Sequence, residues 1–301
     1  MTDRGAGPPS PRRILLATDG SSDARAAAAW LTRWPPSERS RVRIVSVIER
    51  RLDWPGVQAY YDAVAADGHR ILDEARASLS PVAAIETALL EGTPGDEIVR
   101  EAHDWDADLV VVGARGLGLV DTWLLGSVSL TVARRVDCAV LVVKGDRRRL
   151  ANVVVGLDGS GQSLDAGRFV AAWPLDARHS VRLIGVVEPV HFPSSTPSVI
   201  REQIVSAVRE VKEERRAELT KALDQLARLF EGHGVTVSRV TPDGHPAEVI
   251  GAVAAEPDTD LVVVGARGLG GVKRLLLGSV SENVLRAARC PVLIVKKPLT
   301  S

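Results

Sequence analysis

Cysteine is nearly absent. Cys138 and Cys290 are the only two in 301 residues, too few for a disulfide framework. Each stands just ahead of a short apolar run, at matching places. Both are read as small buried side chains kept apart in separate cores, neither a bridge nor a zinc pair. An excess of one charge is missing too: 38 Lys and Arg balance 38 Asp and Glu. Zero net charge gives no bulk electrostatic pull toward nucleic acid or an anionic membrane, so neither is expected as a partner. No apolar run reaches the roughly 18 residues that a membrane span needs. The opening MTDRGAGPPSPRR lacks the apolar core of a secretory signal. Residues 1–11 are therefore expected to be a disordered tail, and the protein cytoplasmic.

Catalytic signatures are also scarce. There is no G-x-x-x-x-G-K-[ST], which sets aside a P-loop NTPase. No nucleophile is paired with a base, so no catalytic residue is assigned. The six histidines show no metal-ligand spacing and fall mostly in polar stretches, as surface residues do. What remains is ordinary globular material, 45% hydrophobic and 25% charged, in a chain long enough for two domains.

What is present is a repeat. DLVVVGARGLG occurs at 108–118 and again at 260–270, followed by LLGSVS at 124–129 and 276–281. The common frame is Gly113, Gly116, a gap of nine, then Gly126 and Ser127; its second copy is Gly265, Gly268, Gly278 and Ser279. A buried strand thus runs into a glycine-rich turn, and a Gly-Ser pair opens a helix. Glycines let backbone N–H groups come close, and a helix start offers unpaired N–H groups and partial positive charge. That combination suits phosphate. Glycines serving only tight turns, with Gly-Ser only starting a helix, is the competing reading of one copy alone. Two copies with the same gap favour an anion or nucleotide site.

The order of elements repeats as well. Strands are expected at 14–17, 42–47, 83–90, 109–112 and 139–143, then at 153–157, 181–187, 235–240, 261–264 and 292–295. Helices are expected at 24–34, 57–79, a stretch ending near Trp105, and 127–135, then at 166–173 and 199–231. Apolar strands alternating with helices describe an α/β fold, two tandem doubly wound five-stranded parallel sheets covered on both faces. The charged KGDRRRL at 144–150 reads as a solvated linker, giving domains 12–145 and 151–297 around a linker at 146–150. The Pro- and Ser-rich 189–198 reads as a mobile loop. In doubly wound sheets ligands sit at the carboxyl ends of the strands, where Asp19, Val47 and the Gly113 loop all fall.

Asp19 and Asp158 follow the first strand of each half. A carboxylate there can accept from a ribose hydroxyl or an adenine amino group; it can equally close an Asx turn before a helix. Ser21 and Ser160 suit helix caps. Arg115 and Arg267 lie inside the loops and face either phosphate or solvent. A dinucleotide fingerprint is disfavoured. The glycines follow the fourth strand, and Asp121 and Lys273 stand where a third glycine belongs.

These residues resemble the universal stress protein family in its tandem form, over about 12–145 and 151–297. The carrying features are the G-2x-G-9x-G-[ST] motif, Thr18-Asp19-Gly20-Ser21 with Leu157-Asp158-Gly159-Ser160, the run 278–284, and Cys290-Pro291-Val292-Leu293-Ile294-Val295. The resemblance implies an adenine nucleotide α-hydrolase-like fold and ATP with Mg²⁺ as ligand. It implies that Asp19 and Asp158 contact the nucleoside and that Val47 and Val186 meet adenine through their backbones. It further implies that Gly113, Gly116, Gly126, Ser127, Gly265, Gly268, Gly278 and Ser279 hold phosphates. By the same resemblance, Val128, Ser129, Val280 and Ser281 are expected to complete the pockets. Members of this kind are nucleotide-dependent stress or dormancy regulators with slow or no ATP hydrolysis. A regulatory protein partner is implied, and pairing through the last strand, either between two chains or between the two halves of one. An adenylyl-transferring enzyme and an interaction scaffold built on 189–198 and 199–231 are the alternatives.

The halves differ inside the gap. Val272-Lys273-Arg274-Leu275 in the second half faces Val120-Asp121-Thr122-Trp123 in the first, and Ala139 stands in place of Pro291. An acid beside a polyanion weakens its binding. The C-terminal site is therefore expected to be the tighter one.

Overall fold

The computed structural model describes residues 11–33, 40–49, 58–79, 84–116, 125–145, 150–189, 198–268 and 277–297. The first half runs β1 (Arg13–Ala17), α1 (Ser22–Arg33), β2 (Arg41–Ile48), α2 (Gln58–Ser78), β3 (Ile85–Glu91), α3 (Pro94–Asp104), β4 (Leu109–Gly113), α4 (Ser127–Arg135) and β5 (Ala139–Val143). The second runs β6 (Asn152–Leu157), α5 (Gly161–Ala171), β7 (Ser180–Gly185), α6 (Ser198–Arg228), β8 (Thr236–Val240), α7 (Pro246–Ala254), β9 (Leu261–Gly265), α8 (Ser279–Ala287) and β10 (Val292–Val295).

All ten strands form one sheet, in the order β3-β2-β1-β4-β5-β10-β9-β6-β7-β8. Each half is parallel throughout. The switch point lies between β1 and β4, and between β6 and β9, where neighbouring strands send their chains to opposite faces. The two halves meet at a single antiparallel pair, β5 with β10, where Leu141 faces Leu293. The pairing between halves is thus made within this chain. It also corrects the expectation of separate cores. One hydrophobic layer joins α1 and α2 to α5 and α6 on one face of the sheet, and the other joins α3 and α4 to α7 and α8. β4 and β9 read LVVVG and are buried at every position, because helices cover both faces.

Repeated polar contacts fix the frame. The Asp that opens each DLVVVG run clamps the start of the neighbouring first strand. Asp108 Oδ2 accepts from Arg12 N (2.8 Å) and Arg13 N (2.9 Å), and Asp260 Oδ2 accepts from Ala151 N (2.8 Å) and Asn152 N (2.9 Å). Two lysines cross the seam reciprocally. Lys144, just after β5, donates to Leu285 O and Ala288 O at the end of α8. Lys296, just after β10, donates to Val136 O and Arg134 O at the end of α4. Each caps the carbonyl end of the opposite half's last helix. Burial pushes both ammonium groups down, to about 8.

The expected spans 127–135, 139–143 and 292–295 coincide with α4, β5 and β10. The helix expected at 166–173 starts earlier, at Gly161, because the Ser160 hydroxyl caps it by accepting from Ser163 N. Both cysteines are free, Cys290 fully buried and Cys138 half-buried. Residues 1–10, 146–149 and 190–197 lie outside the described residues, so the expected tail falls there almost wholly, as do most of the linker and the mobile loop.

Candidate functional site

Each half gathers its motif at the carboxyl edge of the sheet, beside the switch point. In the first half, Asp19 leaves β1 and its Oδ1 accepts from Ser21 N (3.0 Å), an Asx turn made possible by Gly20 at φ +75°. Asp19 Oδ2 lies where a Cβ on Gly116 would go. A Cβ on Gly113 would meet the backbone of Asp23 and Ala24 at 2.7 Å. These glycines therefore let the loop lie flat against the start of α1, a packing need that exists with or without a ligand. Val47 lies in β2 opposite Leu90. Gly126 is the N-cap of α4, with no side chain capping the helix, so Ser127 and Val128 open it with their backbone N–H groups. Ser129 is committed elsewhere: its hydroxyl donates to Ala114 O (2.8 Å) and Gly126 O (3.0 Å).

The second half repeats this. Asp158 Oδ1 accepts from Ser160 N (2.9 Å), and its Oδ2 lies where a Cβ on Gly268 would go. A Cβ on Gly265 would meet the backbone of Gln162 and Ser163 at 2.8 Å. Gly278 caps α8 without a side chain, and the Ser281 hydroxyl donates to Gly265 O (2.6 Å). Here a cavity of about 540 Å³ opens. It is lined by Asp158, Val186, Gly265, Arg267, Gly268, Gly278, Ser279, Val280 and Ser281, every C-terminal residue singled out from the sequence. A second hollow of about 550 Å³ runs along the solvent face of α6 among mixed charges and has no glycine-rich backbone, so the chemistry favours the first.

Four residues around the loops were not singled out from the sequence. Lys212 and Arg215 reach the cavity from α6, and Arg215 Nη2 donates to Asp158 O. Nothing local in the sequence signalled this, since α6 lies far along the chain. The other two are Asp23 and Gln162, at corresponding places two residues after Ser21 and Ser160. Asp23 is buried and takes Arg115 in a two-pronged pair, Nε to Oδ2 at 2.9 Å and Nη2 to Oδ1 at 3.0 Å. Gln162 instead donates from Nε2 to Lys296 O (3.1 Å). The contrast DGSSD against DGSGQ was the available signal. The Asp121 and Lys273 contrast lies outside the described residues.

The Universal stress protein family model matches residues 11–144 and again 150–296. The chain belongs to the universal stress protein family. Universal stress protein Rv2005c of Mycobacterium tuberculosis is 31% identical over 94% of this chain and 97% of its own length. Universal stress protein Rv2623 of the same organism is 28% identical over 95% of this chain and 97% of its own length. Among solved structures, a universal stress protein from Archaeoglobus fulgidus superposes with a TM-score of 0.63, covering 95% of this chain and 96% of that one at 21% identity. That likeness speaks for the fold alone. No described helix is long and apolar enough to cross a membrane.

Proposed function

We propose that this universal stress protein binds ATP at the carboxyl edge of each half and acts in the cytoplasm as a nucleotide-dependent stress or dormancy regulator, turning ATP over slowly or not at all. It would work through domains 12–145 and 151–297. The observation that carries the reading is the C-terminal cavity, where one 540 Å³ space is bounded by the glycine loop, the uncapped start of α8 and Asp158. A triphosphate there would take the charge of Arg267 and the backbone N–H groups of Ser279, Val280 and Ser281, while that of Gly278 is held by Ala266 O (2.7 Å). The adenine would lie toward Val186, and Asp158 would accept from the ribose. Among the described residues no three acidic, His or Cys side chains gather to hold a metal, so Mg²⁺ would arrive on the phosphate oxygens.

Titration calorimetry of the full chain with Mg-ATP tests the reading. Binding that adenosine competes for weakly is expected, with hydrolysis far slower than dissociation. Absence of heat, with no thermal shift at millimolar Mg-ATP, overturns it.

A further inference from the structure

The loop sequence Ala-Arg-Gly is identical in the two halves, but its arginine is not in the same state. Arg115 is locked to Asp23, whose side chain is only 5% exposed. Drawing Arg115 toward a phosphate would strand a buried carboxylate, so the lock resists release. The pair also brings no net charge to the N-terminal site, and the guanidinium donors at Nε and Nη2 are already used. In the other half Gln162 occupies the matching position and supplies no charge. Two buried polar atoms are left without a partner there among the described residues, Arg267 Nε and Gln162 Oε1. Unpaired buried polar atoms in a folded protein ask for an explanation, and here they mean that Gln162 does not hold Arg267 as Asp23 holds Arg115. Arg267 lines the C-terminal cavity with the uncapped start of α8, in a lining that also holds Lys212, Arg215, Asp158 and Glu188, and no acid stands at the position that Asp23 fills in the other half.

We propose that Asp23 and Gln162 decide which of the two sites holds a nucleotide polyphosphate: Asp23 withdraws Arg115 from the N-terminal site, and Gln162 leaves Arg267 to the C-terminal one. This rests on the nucleotide reading above and adds to it a loading order set by residues outside the glycine motif. A full unit charge near a triphosphate is worth on the order of tenfold in affinity or more, even partly screened.

The test exchanges the two residues conservatively. Wild type, Gln162→Glu and Asp23→Asn full-length chains are titrated with Mg-ATP and with adenosine, each first checked for an unchanged circular dichroism spectrum. Wild type is expected to show one tight and one weak site, at least about tenfold apart. Gln162→Glu should lower ATP affinity of the tight site by about tenfold or more and leave adenosine affinity as it was, because only the phosphate end meets the new charge. Asp23→Asn should tighten the weak site. Arg267→Gln serves as a second variant if Gln162→Glu fails to fold, with the same expected split between ATP and adenosine. Two equal sites in the wild type, or ATP and adenosine affinities falling together in Gln162→Glu, overturn the loading order while the nucleotide reading stands. No binding by wild type overturns both.

Discussion

The two halves of this protein carry the same loop, the same Asx turn and the same uncapped helix start, yet they differ in what surrounds the loop arginine. In the first half a buried acid pairs with Arg115; in the second, Gln162 stands at that position and Arg267 lines a cavity. The first half has Leu130 where the second has Glu282. Glu282 joins Arg134 of α4 and Arg286 of its own helix. α2 spans 21 residues and α6 spans 31, and α6 adds Lys212 and Arg215 to the C-terminal cavity. A matching motif therefore establishes a matching backbone. It does not establish matching electrostatics, and phosphate responds to both.

The comparison can be broken hardest at the glycines. Gly265→Val forces a branched side chain into the backbone of Gln162 and Ser163, and Gly113→Val does the same against Asp23 and Ala24. Both should lower the melting temperature. Gly265→Val should also remove tight ATP binding by about a hundredfold or more, while Gly113→Val leaves the tight site within a few-fold. Calorimetric titration of both variants reads this directly, and the reverse order would contradict the asymmetry.

A next-largest effect is expected at the seam. Lys144 and Lys296 have their ammonium groups pushed down to about 8 by burial, from an unfolded value near 10.4. Between those values the unfolded chain holds these protons more strongly, so raising the pH from about 8 toward 10 relieves a cost of folding. The stability gap between wild type and Lys296→Met should shift in favour of wild type across that window. Cys138 acts against it. Burial pushes its thiol up to about 12, so wild type loses stability from this group above about 9. Urea midpoints of wild type, Lys296→Met and Cys138→Ala, taken at pH 7.5, 8.5 and 9.5, separate the two. A flat Lys296→Met difference would mean that the lysine stays charged.

The smallest effect belongs to the Arg134–Glu282 bridge between α4 and α8. Arg134 is about half exposed, so Glu282→Gln should cost only about 0.5 kcal/mol, roughly 1–2 °C in melting temperature. Hydrogen bonding from Arg134, joined by Arg286, holds the Glu282 carboxyl below the usual range. That stabilisation is complete above the ordinary carboxylate value and is lost as pH falls through the lowered one. Melting temperatures of wild type and Glu282→Gln should therefore converge in acid. A gap that stays constant as the pH falls far below the ordinary carboxylate range would assign the effect to packing.

Much of this architecture can be read from the chain. Runs such as DLVVVG and PVLIV mark buried strands because only helices on both faces let every position be apolar. β5, β10 and α4 fall where periodicity puts them. The start of α5 does not, because Gly161-Gln162-Ser163 shows no apolar spacing and the helix is started there by the Ser160 hydroxyl. The fused core does not follow from short-range pattern, because β5 finds β10 across more than a hundred residues; only the family resemblance implied pairing through the last strand, and it left open whether one chain or two would make it. The nine C-terminal residues named from the sequence line one cavity: seven belong to the glycine motif, Asp158 follows the first strand of its half, and Val186 came from the family resemblance alone. The partner of Arg115 was not legible, since Asp23 lies ninety-two positions away in sequence and reads locally as an acid in the first turn of a helix.

The most direct test of the central claim, an ATP-binding protein with one favoured site, is acid extraction of the purified protein, with the released nucleotide identified and counted per chain. The account predicts ATP at close to one per chain, lost in Gly265→Val and retained in Gly113→Val. An absence of nucleotide together with no thermal shift on adding Mg-ATP would contradict the binding itself. Close to two per chain, with each variant losing one, would contradict the asymmetry.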